Sequence, residues 1–475
     1  MNPRNIDRRR FLKRLGPGLL GGAMALSMGR YAAAETGHDR LNFIFFLIDD
    51  FGWTDLACYG STFYETPHMD RLAGEGMKFT DAYSACTVCS PTRAAILTGK
   101  YPARLGITDW IPGHNRPFAQ LRIPAIHNQL AHEETTIAEV LKSKEYACAH
   151  VGKWHLGGDP FFPDTQGFDI NVGGNSLGHP PSYFSPYKMP ILKEGPEGEY
   201  LTDRLGDEAV RFIEENRNRP FFLYFAHYAV HNPLQAKKEL IEYYQRKADP
   251  HARHNNPIYA AMIHSVDETV GRILATLDKL GLADRTVIFF TGDNGGLLPN
   301  TSNAPLRAGK GSAYEGGVRV PLLVRWPGVT PPGSVCAEPV TSVDYFPTIA
   351  QMAAIPVPNE SVDGVSLVPL LQDPRATLGR EAIYWHYPHY HPGGATPYGA
   401  VRKGDYKLIE FFEDGKLELY NLKEDVGESN DLSQQLPEAA SALKQDLAAW
   451  RAQVNAQMPW PNPDYDPTRA GLRMR

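Results

Sequence analysis

Cysteine is scarce in this sequence, with five residues among 475. They are Cys58, Cys86, Cys89, Cys148 and Cys336. An odd, small number in a long chain does not indicate a disulfide framework, so folding has to rely on apolar burial. Internal repeats, low-complexity tracts and heptads are also missing, which excludes solenoids and coiled coils.

Long apolar runs are missing too, apart from a short one near the N-terminus. Residues 1–34 have a basic head, a glycine-broken apolar run and an A-x-A ending at Ala34. This pattern predicts a signal peptide, and the run is too short to span a bilayer. "RRRFLK" at 8–13 favours a twin-arginine signal over a general secretory one. We therefore expect a periplasmic or secreted protein, with the export machinery as a partner and no stable membrane span.

Positive charge is in deficit, since the net charge of −6 becomes −12 when residues 1–34 are removed. An acidic mature chain argues against nucleic acid as a partner. An anionic substrate would therefore have to be attracted by local cations.

Several apolar runs of strand length end in polar residues. They are "NFIFFLIDD" (42–50), "YACAHVGKWHLG" (146–157), "RPFFLYFAHYAVHNP" (219–233) and "RTVIFFTGDNGG" (285–296). Runs without alternation are typical of strands buried on both faces of a parallel sheet. Helical stripes lie between them, so we predict an α/β fold with its site at the carboxyl ends of the strands.

The character of the chain changes after about residue 370. "AVRKGDYKLIEFFEDGKLELYNL" (400–422) predicts short antiparallel strands joined by turns, and "PEAASALKQDLAAWRAQV" (437–454) predicts an amphipathic helix. We therefore expect a catalytic domain at 35–375 and a smaller C-terminal subdomain, a sheet plus a helix, at 376–475.

Four oxygen-bearing residues follow two of the predicted strands: Asp49, Asp50, Asp293 and Asn294. Three carboxylates and an amide suit Ca²⁺ or Mg²⁺, whereas Zn²⁺ favours His and Cys. Each pair alone could instead cap a turn. Two such pairs after two buried strands favour a metal site.

Cys89 lies in "SACTVCSPTRAAILTGKYP" (84–102), at the predicted start of a helix. A soft thiol is a poor ligand for a hard cation. Cys89 could be a buried structural thiol, half of a C-x-x-C redox pair with Cys86, or a nucleophile in the metal site.

Five segments resemble sequence blocks of one enzyme family. They are "LIDDFGWTDLACYG" (47–60), "CSPTRAAILTG" (89–99), "GKWHLG" (152–157), "TGDNGG" (291–296) and "PLRAGKGSAYEGGVRVP" (305–321). The second fits the C-x-P-[ST]-R…TG signature of the formylglycine-dependent sulfatases in the alkaline-phosphatase superfamily. The resemblance runs from about residue 41 into the C-terminal region and implies a large, mostly parallel sheet flanked by helices.

The resemblance also implies a chemistry for Cys89. A formylglycine-generating enzyme would oxidise it to formylglycine, whose hydrate would bind one Ca²⁺, or alternatively Mg²⁺, together with Asp49, Asp50, Asp293 and Asn294. One hydroxyl would attack the sulfur of a sulfate monoester, and the other would drive release of sulfate.

Further roles carry over from the family by position. Arg93 would hold the diol, although it could be a surface helix cation. Lys153 and His155 would bind the sulfate and the formylglycine hydroxyl, and Lys310 would neutralise the sulfate.

A histidine would protonate the leaving oxygen. We expect His231, although His227 is a competitor and the family often has Pro-His where this chain has Val230-His231. Glu315 and Arg319 would brace the loop that carries Lys310.

The substrate is indicated only by residues 383–402, "IYWHYPHYHPGGATPYGAVR". Rings and histidines at a cleft edge would suit a sulfated carbohydrate, but the same rings could pack the subdomains together. The alternatives are a phosphonate or phosphodiester hydrolase of the same superfamily, a thiol–disulfide oxidoreductase, and a binding protein without chemistry.

Overall fold

The structure is a computed structural model of the chain that describes residues 40–357 and 362–473. The predicted signal peptide, residues 1–34, lies outside the described residues. Within those ranges no helix combines the length and the apolar character that a membrane crossing requires.

The strands of the described ranges are numbered in chain order. They are β1 (Asn42–Ile48), β2 (Met77–Phe79), β3 (Ala82–Tyr83), β4 (Leu121–Arg122), β5 (Ala147–Gly152), β6 (Ile170–Val172), β7 (Phe221–Ala226), β8 (Thr286–Gly292), β9 (Leu322–Arg325), β10 (Ser334–Cys336), β11 (Val340–Thr341), β12 (Ala382–Tyr387), β13 (Tyr398–Lys403), β14 (Tyr406–Phe411), β15 (Leu417–Asn421) and β16 (Trp460–Pro461).

The helices of the described ranges are numbered in the same way. They are α1 (Pro67–Glu75), α2 (Cys89–Thr98), α3 (Pro102–Leu105), α4 (Ile137–Lys142), α5 (Leu201–Glu215), α6 (Lys238–Lys247), α7 (Pro257–Lys279), α8 (Glu315–Val318), α9 (Tyr345–Met352), α10 (Val368–Gln372) and α11 (Pro437–Gln453). Short 3₁₀ turns cover Ala57–Tyr59, Pro163–Thr165, Ala283–Arg285 and Ser342–Asp344.

The largest sheet has eight strands in the order β10-β2-β9-β8-β1-β7-β5-β6. Five of its seven neighbouring pairs are parallel, and the pairs β2–β9 and β9–β8 are antiparallel. The prediction of a large, mostly parallel sheet is therefore confirmed.

Alternate residues of the central strand β1 enter two different apolar clusters. Phe46 packs on one face with residues of α5 and α7, and Phe45 packs on the other with residues of α2, α4 and α9. Every residue of β1 is buried. Because helices cover both faces, the strand has no polar side and its sequence shows no alternation.

The register brings four strand ends to one edge of the sheet. Ile48 of β1 pairs with Gly292 of β8, and Leu47 pairs with Ala226 of β7, which in turn pairs with Gly152 of β5. The polar residues that follow these strands therefore leave the sheet side by side.

A second, smaller sheet lies in the C-terminal region. Its four strands are antiparallel in the order β12-β13-β14-β15, and α11 packs on it through Leu443, Leu447 and Trp450. The predicted antiparallel sheet with a helix is confirmed. The predicted boundary between residues 375 and 376 remains a prediction.

Candidate active site

Four residues form what we call the carboxylate cluster: Asp49, Asp50, Asp293 and Asn294. All four are buried. Asp50 has a φ of 57°, which turns the chain so that its backbone N–H donates to Asp293 Oδ1 at 3.1 Å. Asn294 Nδ2 donates to Asp50 Oδ1 at 2.8 Å. The pairs that follow β1 and β8 therefore meet, as the sequence predicted.

Three cations neutralise the cluster. Lys153 Nζ lies 2.7 Å from Asp49 Oδ2, and Lys310 Nζ lies 2.6 Å from Asp50 Oδ1. Arg93 donates through Nε and Nη2 to Asp293 Oδ2, at 3.0 and 2.7 Å. Arg93 is buried, so the alternative that it is a surface helix cation is wrong.

Three oxygens of the carboxylate cluster remain without a hydrogen-bond partner in the described chain, although they are buried. They are Asp49 Oδ1, Asp50 Oδ2 and Asn294 Oδ1. Most buried polar atoms are satisfied, so these three oxygens are available to a ligand. Three hard oxygen donors fit Ca²⁺ or Mg²⁺.

The electrostatics of the cluster agree with this fit. Burial raises the pKa of Asp49 to about 8, with Asp293 adding to the rise and Lys153 opposing it. A bound cation would reverse that shift. For Asp50, burial also acts upward, but Lys310 and His231 outweigh it and lower the pKa.

Cys89 is the first residue of α2 and lies against the carboxylate cluster. Its Sγ and carboxylate oxygens of Asp49 and Asp293 all lie within 4.8 Å of one another. Lys310 Nζ lies 3.5 Å from Sγ, and the residue is 3% exposed. The prediction that Cys89 begins a helix is confirmed.

The two cysteines of the C-x-x-C segment lack the features of a redox pair. Burial raises the pKa of Cys86 to about 12 and that of Cys89 to about 11. Reactive cysteines in such motifs have lowered pKa values. The chain environment therefore does not favour the thiol–disulfide alternative.

The segment after β5 presents Lys153 and His155 to the site. Gly152 has a φ of 100°, and a Cβ there would lie 1.8 Å from the carbonyl oxygen of Ala226, so only glycine lets the strands approach this closely. His155 Nε2 donates to Ile111 O at 2.5 Å, while its buried Nδ1 has no hydrogen-bond partner in the described ranges.

The two candidate acid histidines differ in position. His231 Nδ1 donates to Asn232 O at 2.9 Å, so its Nε2 faces Asp50 Oδ2 at 3.6 Å. His227 is buried and stacked on Phe225, with ring centroids 4.0 Å apart. The geometry favours His231 for contact with a substrate.

A cavity of about 390 Å³ opens over Cys89. Its lining is Cys89, Trp110, Ile111, Pro112, His155, Gly178, His179, His231, Leu297, Lys310, His391 and Pro392. The sequence motifs predict Cys89, His155, His231 and Lys310 for this site but do not predict Trp110 or His179. No local motif marks those two, because loops bring them to the cavity.

The aromatic segment 383–402 contributes both to packing between parts of the chain and to the lining of the cavity. Its contact with a carbohydrate remains a prediction. Trp385 and Tyr387 are buried and bond to Ser84 O and Asp109, so they pack the C-terminal sheet against the rest of the chain. His391 lines the cavity. A Cβ on Gly311 would lie 2.1 Å from His391 Nδ1, so the histidine packs directly against the Lys310 loop.

A second set of buried charges braces that loop, and we call it the Lys407 cluster: Asp81, Tyr83, Glu315, Arg319, Arg402, Lys407 and Glu428. Glu315 accepts from Lys407 at 2.8 Å, from Tyr83 at 2.7 Å and from Arg319 at 3.2 Å. The expected bracing contact between Glu315 and Arg319 is present.

Two family models match the chain. The Sulfatase model matches residues 41–355, and the model "N-sulphoglucosamine sulphohydrolase, C-terminal" matches residues 309–453. The first covers most of the chain, including the carboxylate cluster.

Individual relatives give the same assignment. A sulfatase of Formosa agariphila is 32% identical over 90% of this chain and 92% of its own length. Arylsulfatase A of Homo sapiens is 32% identical over 87% of this chain and 88% of its own length. The crystal structure of Ps i-CgsB in complex with k-i-k-neocarrahexaose superposes with a TM-score of 0.75 at 30% identity, covering 90% of this chain and 96% of that one. The chain belongs to the sulfatase family.

Proposed function

We propose that this sulfatase hydrolyses sulfate monoesters of carbohydrates, R–O–SO₃⁻, to R–OH and sulfate, using a formylglycine made from Cys89 and one bound Ca²⁺, with Mg²⁺ as the alternative. The observation that carries the proposal is the position of Cys89, which lines a 390 Å³ cavity and also lies against carboxylates of Asp49, Asp50 and Asp293. The carboxylate cluster to which these residues belong leaves three buried oxygens without a hydrogen-bond partner in the described chain.

The metal would be held by Asp49, Asp50, Asp293, Asn294 and the modified side chain of residue 89. When bound, a divalent cation supplies charge neutralisation and Lewis-acid polarisation of the sulfate oxygens. Formylglycine hydrate presents oxygen where the encoded residue has sulfur, which suits a hard cation.

The cationic side chains would hold the sulfate group. Lys310 and His155 line the cavity, while Lys153 and Arg93 stand behind it on Asp49 and Asp293. Donors placed in a buried site before the substrate arrives stabilise the charge that develops during sulfuryl transfer.

His231 would protonate the leaving oxygen from Nε2. Its other nitrogen is occupied by Asn232 O, which fixes the ring orientation. Burial and Lys310 lower the pKa of His231 to about 3. The negative charge of a bound sulfate ester would act in the opposite direction.

The carbohydrate assignment is supported by a relative and by the cavity rim. The solved complex of Ps i-CgsB contains a neocarrahexaose, and this chain aligns with 96% of that protein. Trp110, His179 and His391 line the cavity and offer a ring face and hydrogen-bonding groups suited to a sugar.

Maturation is tested by mass spectrometry of the tryptic peptide Phe79–Arg93 from the native host. Conversion of Cys89 to formylglycine, CH₂–SH to CHO, lowers the peptide mass by about 18 Da. Ser90, Pro91 and Arg93 would serve as the recognition tag for the formylglycine-generating enzyme. An unmodified thiol in fully active enzyme would refute the proposal.

The reaction is tested by comparing kcat/KM for 4-nitrophenyl sulfate, phosphate and phenylphosphonate, and by measuring sulfate release from sulfated oligosaccharides. We expect sulfate esters to be preferred by at least about 10²-fold, which corresponds to roughly 3 kcal/mol. Preference for the phenylphosphonate or the phosphate ester would favour the other hydrolase class. An inactive but glycan-binding protein would favour the binding-protein alternative.

The metal is tested by chelation followed by addition of single ions. We expect one ion per chain by elemental analysis, loss of activity with EDTA, which removes both Ca²⁺ and Mg²⁺, and a melting temperature that falls by a few degrees when the ion is removed. Restoration by Ca²⁺ or by Mg²⁺ identifies the ion. Full activity and unchanged melting in the metal-free protein would rule the site out.

Export through the twin-arginine pathway is proposed from residues 1–34. Replacing Arg8 and Arg9 by lysines should retain the protein in the cytoplasm, and N-terminal sequencing of the exported protein should start near residue 35. An uncleaved wild-type protein confined to the cytoplasm would contradict this.

A further inference from the structure

Two arginines from distant parts of the chain meet at the rim of the cavity. Arg116 Nη2 donates to His391 O, and Arg473 Nη2 donates to Pro392 O, each at 2.8 Å. His391 and Pro392 both line the cavity over Cys89. Each guanidinium group therefore binds the backbone of a residue that lines the cavity, and the two are near enough for the charge of Arg473 to act on Arg116.

Neither guanidinium group forms an ion pair with a carboxylate of residues 40–357 or 362–473. Arg116 lies over the Tyr390 ring, 5.4 Å from its centroid, and its Nε is buried without a hydrogen-bond partner in those ranges. Burial and the nearby Arg473 lower the pKa of Arg116, which Tyr390 and Glu413 only partly oppose. Two neighbouring cations without a counter-ion are unfavourable unless an anion joins them.

His114, two residues before Arg116, has ring nitrogens that form no hydrogen bond within the described chain. Its side chain is 9% exposed. Its ring stacks on Trp110 with centroids 4.7 Å apart, and Asp109 Oδ2 lies 3.6 Å from Nδ1. Asp109 Oδ1 accepts from Tyr387 at 2.8 Å, whereas Asp109 Oδ2, which faces His114, has no hydrogen-bond partner within the described ranges.

These groups surround His391. After burial, Lys310, His114 and Arg473 are the groups that lower the pKa of His391, to about 3. His391 Nδ1 accepts from the backbone N–H of Gly393 at 3.0 Å, so its Nε2 is left for a ligand. Lys310 belongs to the site for the cleaved sulfate, whereas Arg116, His114 and Arg473 lie beyond it.

We propose that Arg116 and Arg473, with His391 and His114, form a second anion-binding subsite, which takes a sulfate half-ester or a carboxylate on a sugar next to the one whose sulfate is cleaved. Paired guanidinium groups match the oxygens of both anions. This subsite deepens the proposed function, because it makes a glycan with several anionic groups the preferred substrate. It also supplies local attraction in a chain whose net charge is −6.

The test uses matched carrageenan and chondroitin disaccharides with one sulfate, two sulfates, or one sulfate and one carboxylate. Their inhibition constants are measured against hydrolysis of 4-nitrophenyl sulfate by the full-length enzyme. We expect the second anion to improve binding about tenfold, since hydrogen bonds to charged groups are worth roughly that factor or more. The ratio of the inhibition constant of the disaccharide with one anionic group to that of the disaccharide with two should fall to about one in Arg116→Gln and Arg473→Gln. Arg116→Lys should keep part of it.

Arg217→Gln is the matched control. Arg217 is exposed and precedes β7, at the opposite edge of the sheet from the active site, so the ratio should not change. Thermal melting of each variant separates a local effect from misfolding, which matters most for the half-buried Arg116.

The outcomes separate this inference from the proposed function. Equal gain from sulfate and carboxylate defines a general anion subsite, and gain from sulfate alone defines a sulfate subsite. A wild-type ratio near one, an unchanged ratio in both arginine variants, or no inhibition by any disaccharide would overturn the subsite. If wild-type enzyme with modified Cys89 hydrolyses neither 4-nitrophenyl sulfate nor any of the sulfated oligosaccharides, the proposed function fails, and calorimetric titration of the same disaccharides still measures the ratio.

Discussion

The carboxylate cluster and the Lys407 cluster are both sets of buried charges, but they differ in how their oxygens are used. In the Lys407 cluster, Glu315 accepts from three side chains, and Asp81 accepts from Arg319 and Arg402. In the carboxylate cluster, Asp49 and Asp50 each keep one oxygen without a hydrogen-bond partner in the described ranges.

Burial of charge alone therefore does not mark a functional site. The unpaired oxygen of the Lys407 cluster, Glu428 Oε1, forms no hydrogen bond in the described chain but lies 3.0 Å from Lys407 Nζ. Because the chain itself compensates the charges of this cluster, removing one partner leaves an uncompensated buried charge. A cluster with unpaired oxygens pays a desolvation cost that a ligand has to offset. The comparison predicts that substitutions in the carboxylate cluster mainly change activity, whereas substitutions in the Lys407 cluster mainly change stability.

The largest effect is expected for Cys89→Ser. Serine lacks the second hydroxyl that would release sulfate, so kcat should fall by about 10⁴-fold or more, while the melting temperature stays nearly constant. Cys86→Ser is the matched control and should keep near-normal turnover. A Cys89→Ser enzyme as active as Cys86→Ser would remove the distinction between the two thiols.

His231→Gln should reduce kcat for an alkyl or sugar sulfate by about 10³-fold, because the leaving oxygen then lacks its proton donor. With 4-nitrophenyl sulfate, which has a good leaving group, the loss should be much smaller. His227→Gln changes a histidine packed in the core, so it should lower the melting temperature without this dependence on the leaving group. Equal losses of His231→Gln activity on both substrates would exclude the proton-donor role.

Lys407→Met removes the buried cation of the Lys407 cluster, and Lys310→Met removes one of the three cations that neutralise the carboxylate cluster. The two variants therefore compare the clusters directly. Lys407→Met leaves Glu315 and Glu428 without their shared partner and should lower the free energy of unfolding by about 3–5 kcal/mol. Lys310→Met should lower kcat/KM by about 10²–10³-fold with a smaller effect on denaturant unfolding. Reversed effects in the two variants would break the comparison.

The smallest expected effect is the pH dependence of the contribution that Glu428 makes to the free energy of unfolding. Burial raises the pKa of Glu428 to about 7, and Glu315 adds to the rise, although Lys407 opposes it. A raised carboxyl pKa means that the folded state binds the proton more tightly, so this contribution to stability is present below the unfolded pKa and is lost as the pH rises through the folded one.

Glu428→Gln isolates this contribution. The wild-type minus variant difference in the free energy of unfolding should fall by an amount on the order of 3 kcal/mol between pH 4.5 and pH 7.5. Denaturant titrations at several pH values measure it. A difference that does not change with pH would show that Glu428 is ionised in the folded protein throughout this range.

Much of the fold could be predicted because its central strands are uninterrupted apolar runs, which are easy to recognise in the sequence. The apolar run of β1 has no alternation, and its burial on both faces follows from that. The order of the eight strands and the antiparallel position of β9 could not be predicted, because β9 is only Leu322–Arg325 and pairs with strands far away in the chain.

Only part of the site could be predicted from the sequence. Asp49, Asp50, Asp293 and Asn294 follow recognisable strands, so their meeting could be expected from the rule for parallel sheets. Trp110, His179 and Arg116 lie in loops without a motif, and nothing in the local sequence brings them to the cavity. The aromatic and histidine residues of segment 383–402 mark it as unusual in composition. Only the structure shows that Trp385 is buried in packing and that His391 lines the cavity.

The amino-acid sequence alone determined which chemical groups are available and which strand ends carry them, because residue type and apolar runs are local properties. The three-dimensional arrangement decided which of these groups are satisfied. Arg93 meets Asp293 across 200 residues of chain, and Lys153 meets Asp49 across 104. Whether a buried oxygen is paired or left for a ligand depends on such distant donors, and no stretch of sequence contains both partners.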